Sequence, residues 1–324
     1  MGSISEPMSD LVTFGETMIR LSPPQGERVE TARELELRAA GAESNVAITA
    51  ERLGAVATWI SKVPESPLGR RVVSGLRQHG VDVDVSWSDQ GRQGTYYLEY
   101  GGKPRGTNVI YDRQGTAVQT TRPDELDLDA IREARVFYTS GITPALSNRL
   151  NETTAQLLKT AKESGTKTAF DFNYRSSLWS PQEARETLTR LFPAVDILVV
   201  PYRDAQTVLN YERDPRQLAH HLAAEYNLQT VIVTQGQQGS LAWHDNTVYE
   251  QDIYEADTHD AIGTGDALVG AFLARRLAGD DVQRALKYAA ATASLKRTIA
   301  GDIATVTKKE VEAVLGDDLQ DISR

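Results

Sequence analysis

A glycine-rich segment near the end of the chain has residues that could hold a transferring anion beside a catalytic base. Residues 257–267 read Asp-Thr-His-Asp-Ala-Ile-Gly-Thr-Gly-Asp-Ala, and an apolar, helix-forming stretch follows over residues 268–278. Small residues let an anion approach backbone N–H groups, and the helix dipole favours negative charge at that end. Asp266 would repel a plain anion, but it suits a base that takes a proton from a hydroxyl during phosphoryl transfer. A glycine turn with a first-turn Asp is the plainer alternative, and the segment alone leaves it open.

The composition limits the class of protein. The chain has 324 residues, of which 40% are hydrophobic and 25% charged, so it can bury a large core as one domain with an excursion or as two domains. The absence of Cys excludes disulfides and thiolate catalysis and fits a reducing cytoplasm. The net charge of −10 argues against a nucleic-acid partner. No apolar run approaches the roughly 20 residues of a membrane span, so we expect a cytoplasmic protein with no membrane partner. Residues 1–7 are polar, and we expect them to be disordered, with Met8 as the natural start of the fold.

Strands and helices alternate along most of the chain, and glycines follow several of the helices. The pattern predicts strands at residues 11–14, 58–63, 135–139, 167–172, 196–200 and 230–234. It predicts helices at residues 46–53, 68–79, 147–164, 181–191, 216–226, 268–278, 282–297 and 307–314. This alternation is typical of α/β proteins with a doubly wound, mainly parallel sheet and helices on both faces. Ligands of such sheets bind beyond the carboxyl ends of the strands.

Two stretches interrupt the alternation. Residues 95–100 and 107–111 are rich in β-forming residues and flank Gly-Gly-Lys-Pro-Arg-Gly, which predicts a hairpin. A second hairpin is predicted from residues 240–244 and 247–250 around Asp245-Asn246. The first hairpin is either decoration or a lid that covers a site.

Candidate polar clusters follow strands at residues 141–144, 173–175 and 234–239, and residues 263–266 follow the last hairpin. Four such clusters together predict a binding site at one edge of the sheet. Several other chemistries lack their motifs in this sequence. There is no P-loop, no Gly-x-Gly-x-x-Gly after the first strand, no zinc-type His spacing and no Gly-x-Ser-x-Gly elbow.

Two of these segments resemble known signatures. Gly41-Ala-Glu-Ser-Asn-Val-Ala47 and residues 260–267 are similar to the paired signatures of the ribokinase-like (PfkB) carbohydrate kinases. Residues 140–147 and 171–181 most resemble the 2-keto-3-deoxygluconate kinases within that family. The similarity runs from residue 11 to about residue 315. It implies a single ribokinase-like domain over residues 8–324, with a small β-sheet lid from segments of about 15–40 and 93–118.

The resemblance also implies roles for particular residues. Asp266 would be the base on the acceptor hydroxyl, and the N–H groups of the anion hole would come from Gly263, Thr264 and Gly265. The residues that contact the sugar would be Gly41, Ala42, Asn45, Tyr96 and Tyr111. Those that bind its carboxylate would be Arg113 and Arg175. The nucleotide would be lined by Thr234, Gly236, Gly239, Gly263, Gly265 and Ala290.

The expected cofactors are ATP and Mg²⁺, with a monovalent cation as a further possibility. The family commonly has Asn-x-x-Glu after the strand at residues 196–200, where this chain has Pro201-Tyr-Arg-Asp204. Asp204 can supply the carboxylate near the metal, but Pro201 cannot replace the Asn side chain. Lid sheets of relatives often pair between subunits, so a homo-oligomer formed through the lid is expected by analogy.

The arginine pair bears on the class of substrate. A buried carboxylate is costly unless it is paired, and two guanidiniums provide charge-assisted bonds to it. We therefore expect ATP-dependent phosphorylation of the terminal hydroxyl of 2-keto-3-deoxygluconate, with its galactonate epimer as a further substrate. A kinase for a neutral sugar such as ribose or fructose is one alternative, and a non-catalytic sugar or nucleotide binder is another. A solvated position for Arg113 and a structural salt bridge for Arg175 are the corresponding non-functional readings.

Overall fold

A computed structural model describes residues 9–102 and 104–316. The expectations for residues 1–7 and Met8 lie outside the described residues, as does the end of the predicted domain over residues 317–324. Among the helices of the described ranges, none is long and apolar enough to cross a membrane.

The strands are short and follow one another in a regular order. They are β1 (Leu11–Phe14), β2 (Met18–Ser22), β3 (Glu36–Ala40), β4 (Ala57–Pro64), β5 (Asp82–Ser88), β6 (Thr95–Glu99), β7 (Asn108–Asp112), β8 (Val136–Ser140), β9 (Lys167–Asp171), β10 (Ile197–Pro201), β11 (Thr230–Thr234), β12 (Ser240–His244) and β13 (Thr247–Gln251). The α-helices are α1 (Ala42–Arg52), α2 (Pro67–Arg77), α3 (Leu128–Glu133), α4 (Ile142–Ala145), α5 (Asn148–Ser164), α6 (Pro181–Leu191), α7 (Tyr202–Val208), α8 (Pro215–Tyr226), α9 (Thr264–Leu277), α10 (Val282–Arg297) and α11 (Lys308–Leu315).

The larger sheet confirms the predicted fold class. In the described part of the chain it has nine strands in the order β13-β12-β11-β10-β9-β8-β1-β4-β5. The strands from β11 to β5 run parallel, and β12 and β13 add an antiparallel hairpin at one edge. Strands such as β8 and β10 are apolar along most of their length because helices cover both faces of the sheet. Two separate clusters of buried side chains, one on each face, form the core.

A smaller sheet stands apart from the large one and is called the small sheet below. Within the described residues it comprises four strands in the order β3-β2-β6-β7. The predicted hairpin over residues 95–111 is confirmed as the antiparallel β6–β7 pair. The strands lie within the segments 15–40 and 93–118 that were expected to form a lid.

Several element boundaries were predicted wrongly. Helix α1 begins at Ala42 rather than residue 46, and α9 begins at Thr264 rather than residue 268. In both places the first helical turn carries polar residues, which the apolar periodicity assigned to the preceding loop. The side chains of Glu43, Asn45 and Asp266 in these turns form hydrogen bonds with distant parts of the chain. Strands β2, β3 and β5 and helices α3, α4 and α7 were not predicted as individual elements.

Candidate active site

A cavity of about 490 Å³ lies between the carboxyl ends of the large sheet, the small sheet and the start of α9. It brings together most of the predicted site residues, which come from distant parts of the sequence. Those that line it are Gly41, Ala42, Asn45, Tyr96, Tyr111, Arg113, Arg175, Thr234, Gly263, Thr264, Gly265 and Asp266. It is also lined by four acidic residues to which the sequence analysis gave no role, namely Glu16, Glu43, Asp171 and Asp302.

The start of α9 has the geometry of an anion site. Gly263 caps the helix with a φ of +78°, and a Cβ there would lie 1.9 Å from the carbonyl oxygen of Asp302. Only glycine suits both the left-handed backbone and the close approach. The first N–H groups of a helix have no partner within the helix. The N–H of Thr264 donates to the carbonyl oxygen of Ala261 at 3.4 Å, so Gly265 and Asp266 present the remaining donors of the first turn at the cavity. This arrangement can bind a phosphoryl group.

Asp266 lies in the first turn of α9, and Asn45 holds its carboxylate. The Nδ2 atom of Asn45 donates to Oδ2 of Asp266 at 2.7 Å. Burial raises the pKa of Asp266 to about 7, while the Asn45 hydrogen bond and the charge of Arg175 act in the opposite direction. A carboxylate with a pKa near neutrality is suited to accept a proton from a hydroxyl. The geometry therefore favours Asp266 as a catalytic base over the alternative in which it is only an acidic residue of the first helical turn.

A second carboxyl group of the cavity has a raised pKa. Asp171 ends β9, and burial, followed by the negative charge of Asp266, raises its pKa to about 8. Asp204 acts in the same direction, and the charge of Arg175 opposes it. The site therefore holds more negative charge than its own cations balance. A site of this kind fits a cationic cofactor such as Mg²⁺.

Arg113 was expected to hold a substrate carboxylate, but it already has a carboxylate partner. Both Nε and Nη2 of Arg113 donate to Oε2 of Glu16, the first at 2.9 Å. Both side chains are buried, so the reading of Arg113 as a solvated residue is wrong. Its guanidinium also lies 5.3 Å from the ring centre of Tyr111. Its contact with a substrate stays a prediction.

Arg175 differs from Arg113 in both exposure and partners. Its side chain is exposed, and Nη1 donates to the carbonyl oxygen of Tyr174 at 3.1 Å. Within the described ranges, no carboxylate oxygen lies within 4.0 Å of its guanidinium. The reading of Arg175 as part of a structural salt bridge therefore finds no support here. Its charge nevertheless favours the ionised forms of Asp171 and Asp266.

The two tyrosines lie side by side on the small sheet. The ring centres of Tyr96 and Tyr111 are 5.9 Å apart. The hydroxyl of Tyr96 donates to Oδ2 of Asp302 at 2.6 Å, whereas Tyr111 is 39% exposed. Tyr111 is therefore the more accessible of the two rings, and the contact of either with a sugar stays a prediction.

Helix α1 is held against the end of β8 by Glu43. Its Oε1 atom accepts from the backbone N and Oγ of Ser140 at 3.0 and 2.7 Å and from Oγ1 of Thr143 at 2.8 Å. Burial raises the pKa of Glu43, and these hydrogen bonds oppose the effect. Gly41 caps α1, and a Cβ there would lie 2.2 Å from the carbonyl oxygen of Glu16. Gly41 is therefore required by backbone packing whether or not it meets a sugar.

Only some of the residues that were predicted to bind the nucleotide line this cavity. Thr234 ends β11 and lines it, but Gly236, Gly239 and Ala290 are absent from the lining formed by the described residues. Gly236 and Gly239 have positive φ values of +62° and +85° in the turn between β11 and β12. Their contact with a nucleotide stays a prediction.

Asp204 is set back from the cavity. Its Oδ2 atom accepts from the backbone N of Tyr174 at 3.2 Å, and burial raises its pKa. In the part of the chain that the structure describes, no group of three or more His, Asp or Glu side chains is placed to hold a metal ion. Mg²⁺ in kinases is usually held by one or two carboxylates and the phosphates, so the donors present are compatible with it. The role of Asp204 stays a prediction.

Two of the four acidic residues to which the sequence analysis gave no role could have been recognised as site residues from the sequence. Asp171 lies at the carboxyl end of a strand that was predicted to be parallel, where ligands bind. Glu43 stands inside the first signature segment, among residues that were assigned to the sugar. Glu16 and Asp302 carry no such signal, since only the folded chain brings Glu16 to Arg113 and Asp302 to Tyr96.

The sequence of the chain matches the pfkB family of carbohydrate kinases over residues 8–309. The chain belongs to this family, and it is a carbohydrate kinase. It is 62% identical to the 2-dehydro-3-deoxygalactonokinase of Haloferax volcanii, over 95% of this chain and 96% of that protein. It is 33% identical to the 2-dehydro-3-deoxygluconokinase of Thermoproteus tenax, over 96% and 95% of the two chains.

A solved structure extends the similarity to the three-dimensional fold. The crystal structure of 2-dehydro-3-deoxygluconokinase from Thermotoga maritima has a TM-score of 0.90 and 31% identity to this chain. The match covers 94% of this chain and 98% of that one. The prefixes 2-dehydro and 2-keto denote the same carbonyl group, so these relatives agree with the predicted subgroup.

Proposed function

We propose that the protein transfers the γ-phosphoryl group of ATP to the terminal primary hydroxyl of a 2-keto-3-deoxy sugar acid. The observation that carries the proposal is the meeting of Asp266, the start of α9 and Arg175 in one cavity. The gluconate and galactonate epimers, which differ in the configuration of one hydroxyl, are both candidate substrates. The 62% identity to a galactonokinase supports the galactonate epimer as the better one.

Asp266 is the proton acceptor in this reaction. Its carboxylate takes the proton of the attacking hydroxyl as the oxygen bonds to the γ-phosphorus and the bond to ADP breaks. Asn45 fixes the orientation of the carboxylate through its hydrogen bond to Oδ2. The N–H groups after Gly263 face the charge that develops on the phosphoryl oxygens, and their positions are set before the reaction starts.

The small sheet carries the opposite wall of the cavity through Tyr96 and Tyr111. We propose that it acts as a lid, which would exclude water that otherwise hydrolyses ATP. Arg175 would hold the substrate carboxylate, because its charge lacks a carboxylate partner among the described residues. Arg113 would face the substrate as part of the Arg113–Glu16 ion pair, which presents less net charge to the substrate than Arg175 does.

Mg²⁺ would supply neutralisation of the triphosphate charge when bound with ATP. Asp171 and Asp204 are the residues that would lie toward it, since the negative charges of Asp204 and Asp266 both raise the pKa of Asp171. Association through the small sheet is proposed as well, because Ile110 on its outer strand β7 is 48% exposed.

A substrate panel tests the proposal. Purified protein with ATP and Mg²⁺ is assayed for ADP release on 2-keto-3-deoxygalactonate, 2-keto-3-deoxygluconate, ribose and fructose, with Asp266→Asn as the inactive control. We expect the two sugar acids to give the highest kcat/KM and the galactonate to exceed the gluconate. Higher kcat/KM on ribose or fructose would make the protein a neutral-sugar kinase. ATP binding without turnover on any sugar would make it a binder.

A further inference from the structure

Lys296 is a buried cation that has no part in the reaction described so far. It lies near the end of α10, and its exposed fraction is 0%. Its Nζ atom donates to the carbonyl oxygens of Asp260 and Ile299 at 3.0 and 3.2 Å. Burial lowers the pKa of Lys296, whereas the nearby charges of Asp260 and Asp302 raise it. A buried ammonium is costly without such partners, so its position calls for an explanation beyond packing.

The two carbonyls belong to the two segments that shape the anion site. Asp260 begins the turn that leads to Gly263, and Ile299 begins the turn that leads to Asp302. These turns touch directly, since a Cβ on Gly263 would lie 1.9 Å from the carbonyl oxygen of Asp302. The carboxylate of Asp260 also joins them, by accepting from the backbone N of Ile262 at 3.0 Å and of Gly301 at 2.9 Å. Lys296 thus connects both turns from behind the anion site.

The small sheet reaches the same point through Arg20. Arg20 lies on β2, is 1% exposed, and forms ion pairs with Asp302 and with Asp260, the latter at 3.3 Å. Tyr100 donates to Oδ2 of Asp260 at 2.7 Å. Two buried cations and two carboxylates therefore meet between the small sheet and the start of α9. Their charges balance, which lets the cluster persist without solvent.

We propose that Lys296 is a positioning residue whose ammonium holds the turns of the anion site as a bound monovalent cation would, so that turnover requires no added K⁺ or Na⁺. The reason is that an ammonium binds carbonyl oxygens through the same charge–dipole attraction as K⁺, but it is covalently attached and always present. Phosphoryl transfer depends on the exact placement of the N–H groups after Gly263. A shift of these turns would therefore lower kcat more than it changes substrate binding.

The inference rests on the proposed kinase activity, and the experiment separates the two. Turnover of the wild-type protein is measured at constant ionic strength in choline chloride, potassium chloride and ammonium chloride, with Mg²⁺ and ATP fixed. We expect the same kcat in the three salts. A requirement for potassium would overturn the inference while leaving the proposed function intact, whereas no turnover on any sugar in any of the salts would overturn the proposed function itself.

The variant Lys296→Ala provides the second arm. We expect kcat to fall about 10- to 100-fold with little change in the KM for sugar. Ammonium, which can enter the vacated space, should restore part of the loss, and choline should not. Lys287→Ala is the matched control, because Lys287 lies on the same helix and is exposed. An unchanged kcat, or a loss that ammonium does not relieve in the folded variant, would overturn the inference. If Lys296→Ala does not fold, the salt dependence of the wild type decides alone.

Discussion

The two ends of the cavity are built in different ways. At the proposed phosphoryl end, Gly263 to Asp266 are consecutive residues at the start of one helix, and their backbone geometry follows from the helix itself. At the proposed substrate end, Arg113 and Arg175 come from separate segments, and the fold gives them different surroundings. Residues that are consecutive in the sequence fix much of their own geometry. The roles of two residues far apart in the sequence depend instead on the neighbours that the fold gives each of them.

The difference is clearest in the charges. Burial raises the pKa of Asp266 to about 7, and Asn45 and Arg175 oppose that effect. The protonation state of Asp266 is therefore set by burial and a few neighbours. Arg113 is balanced by Glu16, but Arg175 faces the cavity without a carboxylate within 4.0 Å among the described residues. The two arginines should therefore respond differently to substitution.

The largest effect is expected at the phosphoryl end. Asp266→Asn keeps the size of the side chain and its ability to accept from Asn45, but removes the proton acceptor. We expect kcat to fall by about 10²- to 10⁴-fold with ATP binding nearly unchanged, since general-base catalysis contributes about that much. Steady-state kinetics and ATP titration measure the two quantities. A variant with the kcat of the wild type would remove Asp266 from the mechanism.

Arg113→Ala is expected to act mainly on stability. It leaves the buried carboxylate of Glu16 without its cation, which costs about 3–5 kcal/mol in the free energy of unfolding. Denaturant titration measures the loss, and the double variant Glu16→Gln, Arg113→Met should recover most of it. Activity on sugar acids and on neutral sugars should fall together, because the wall of the cavity is affected. Full stability of Arg113→Ala would contradict this account of the pair.

Arg175→Ala is expected to act on substrate choice rather than stability. Loss of an unpaired guanidinium should lower kcat/KM for the sugar acid about tenfold or more, while weak activity on ribose or fructose barely changes. Arg175→Lys should recover only part of the activity, because an ammonium cannot form the planar, two-pronged contact. Arg190→Ala, an exposed position on α6, serves as the matched control. Equal losses on acidic and neutral sugars would assign Arg175 to the phosphate instead.

The smallest expected effect is a shift in pH dependence. Asp266 must be ionised to accept a proton, so kcat/KM should fall as the pH drops through about 7. The charge of Arg175 lowers the pKa of Asp266, so its removal should move this acid limb to higher pH. A pH profile of wild type and Arg175→Ala measures the shift. A limb that stays in place would mean that another group controls it.

Much of the molecule could be predicted from the sequence alone. The strand and helix alternation predicted the α/β class, because apolar runs of strand length between amphipathic helices can be buried only in a covered parallel sheet. The predicted start of α6 at residue 181 is correct, since the capping box of Ser180 and Glu183 that fixes it is a local contact. The Gly-Thr-Gly-Asp segment predicted two glycines and a carboxylate at the entry to a helix for the same reason, and their roles as anion site and base stay predictions.

The tertiary structure decided what depends on distant contacts. The start of α1 was misplaced because Glu43 and Asn45 look like loop residues until Ser140 and Asp266 are beside them. Strand β2 was missed because a buried Arg20 interrupts its apolar pattern, and its carboxylate partners stand more than 200 residues away. Glu16 could not be paired with Arg113 from the sequence either. Periodicity and caps report on contacts within a few residues, whereas the cost of a buried charge is set by whichever residues the fold brings against it.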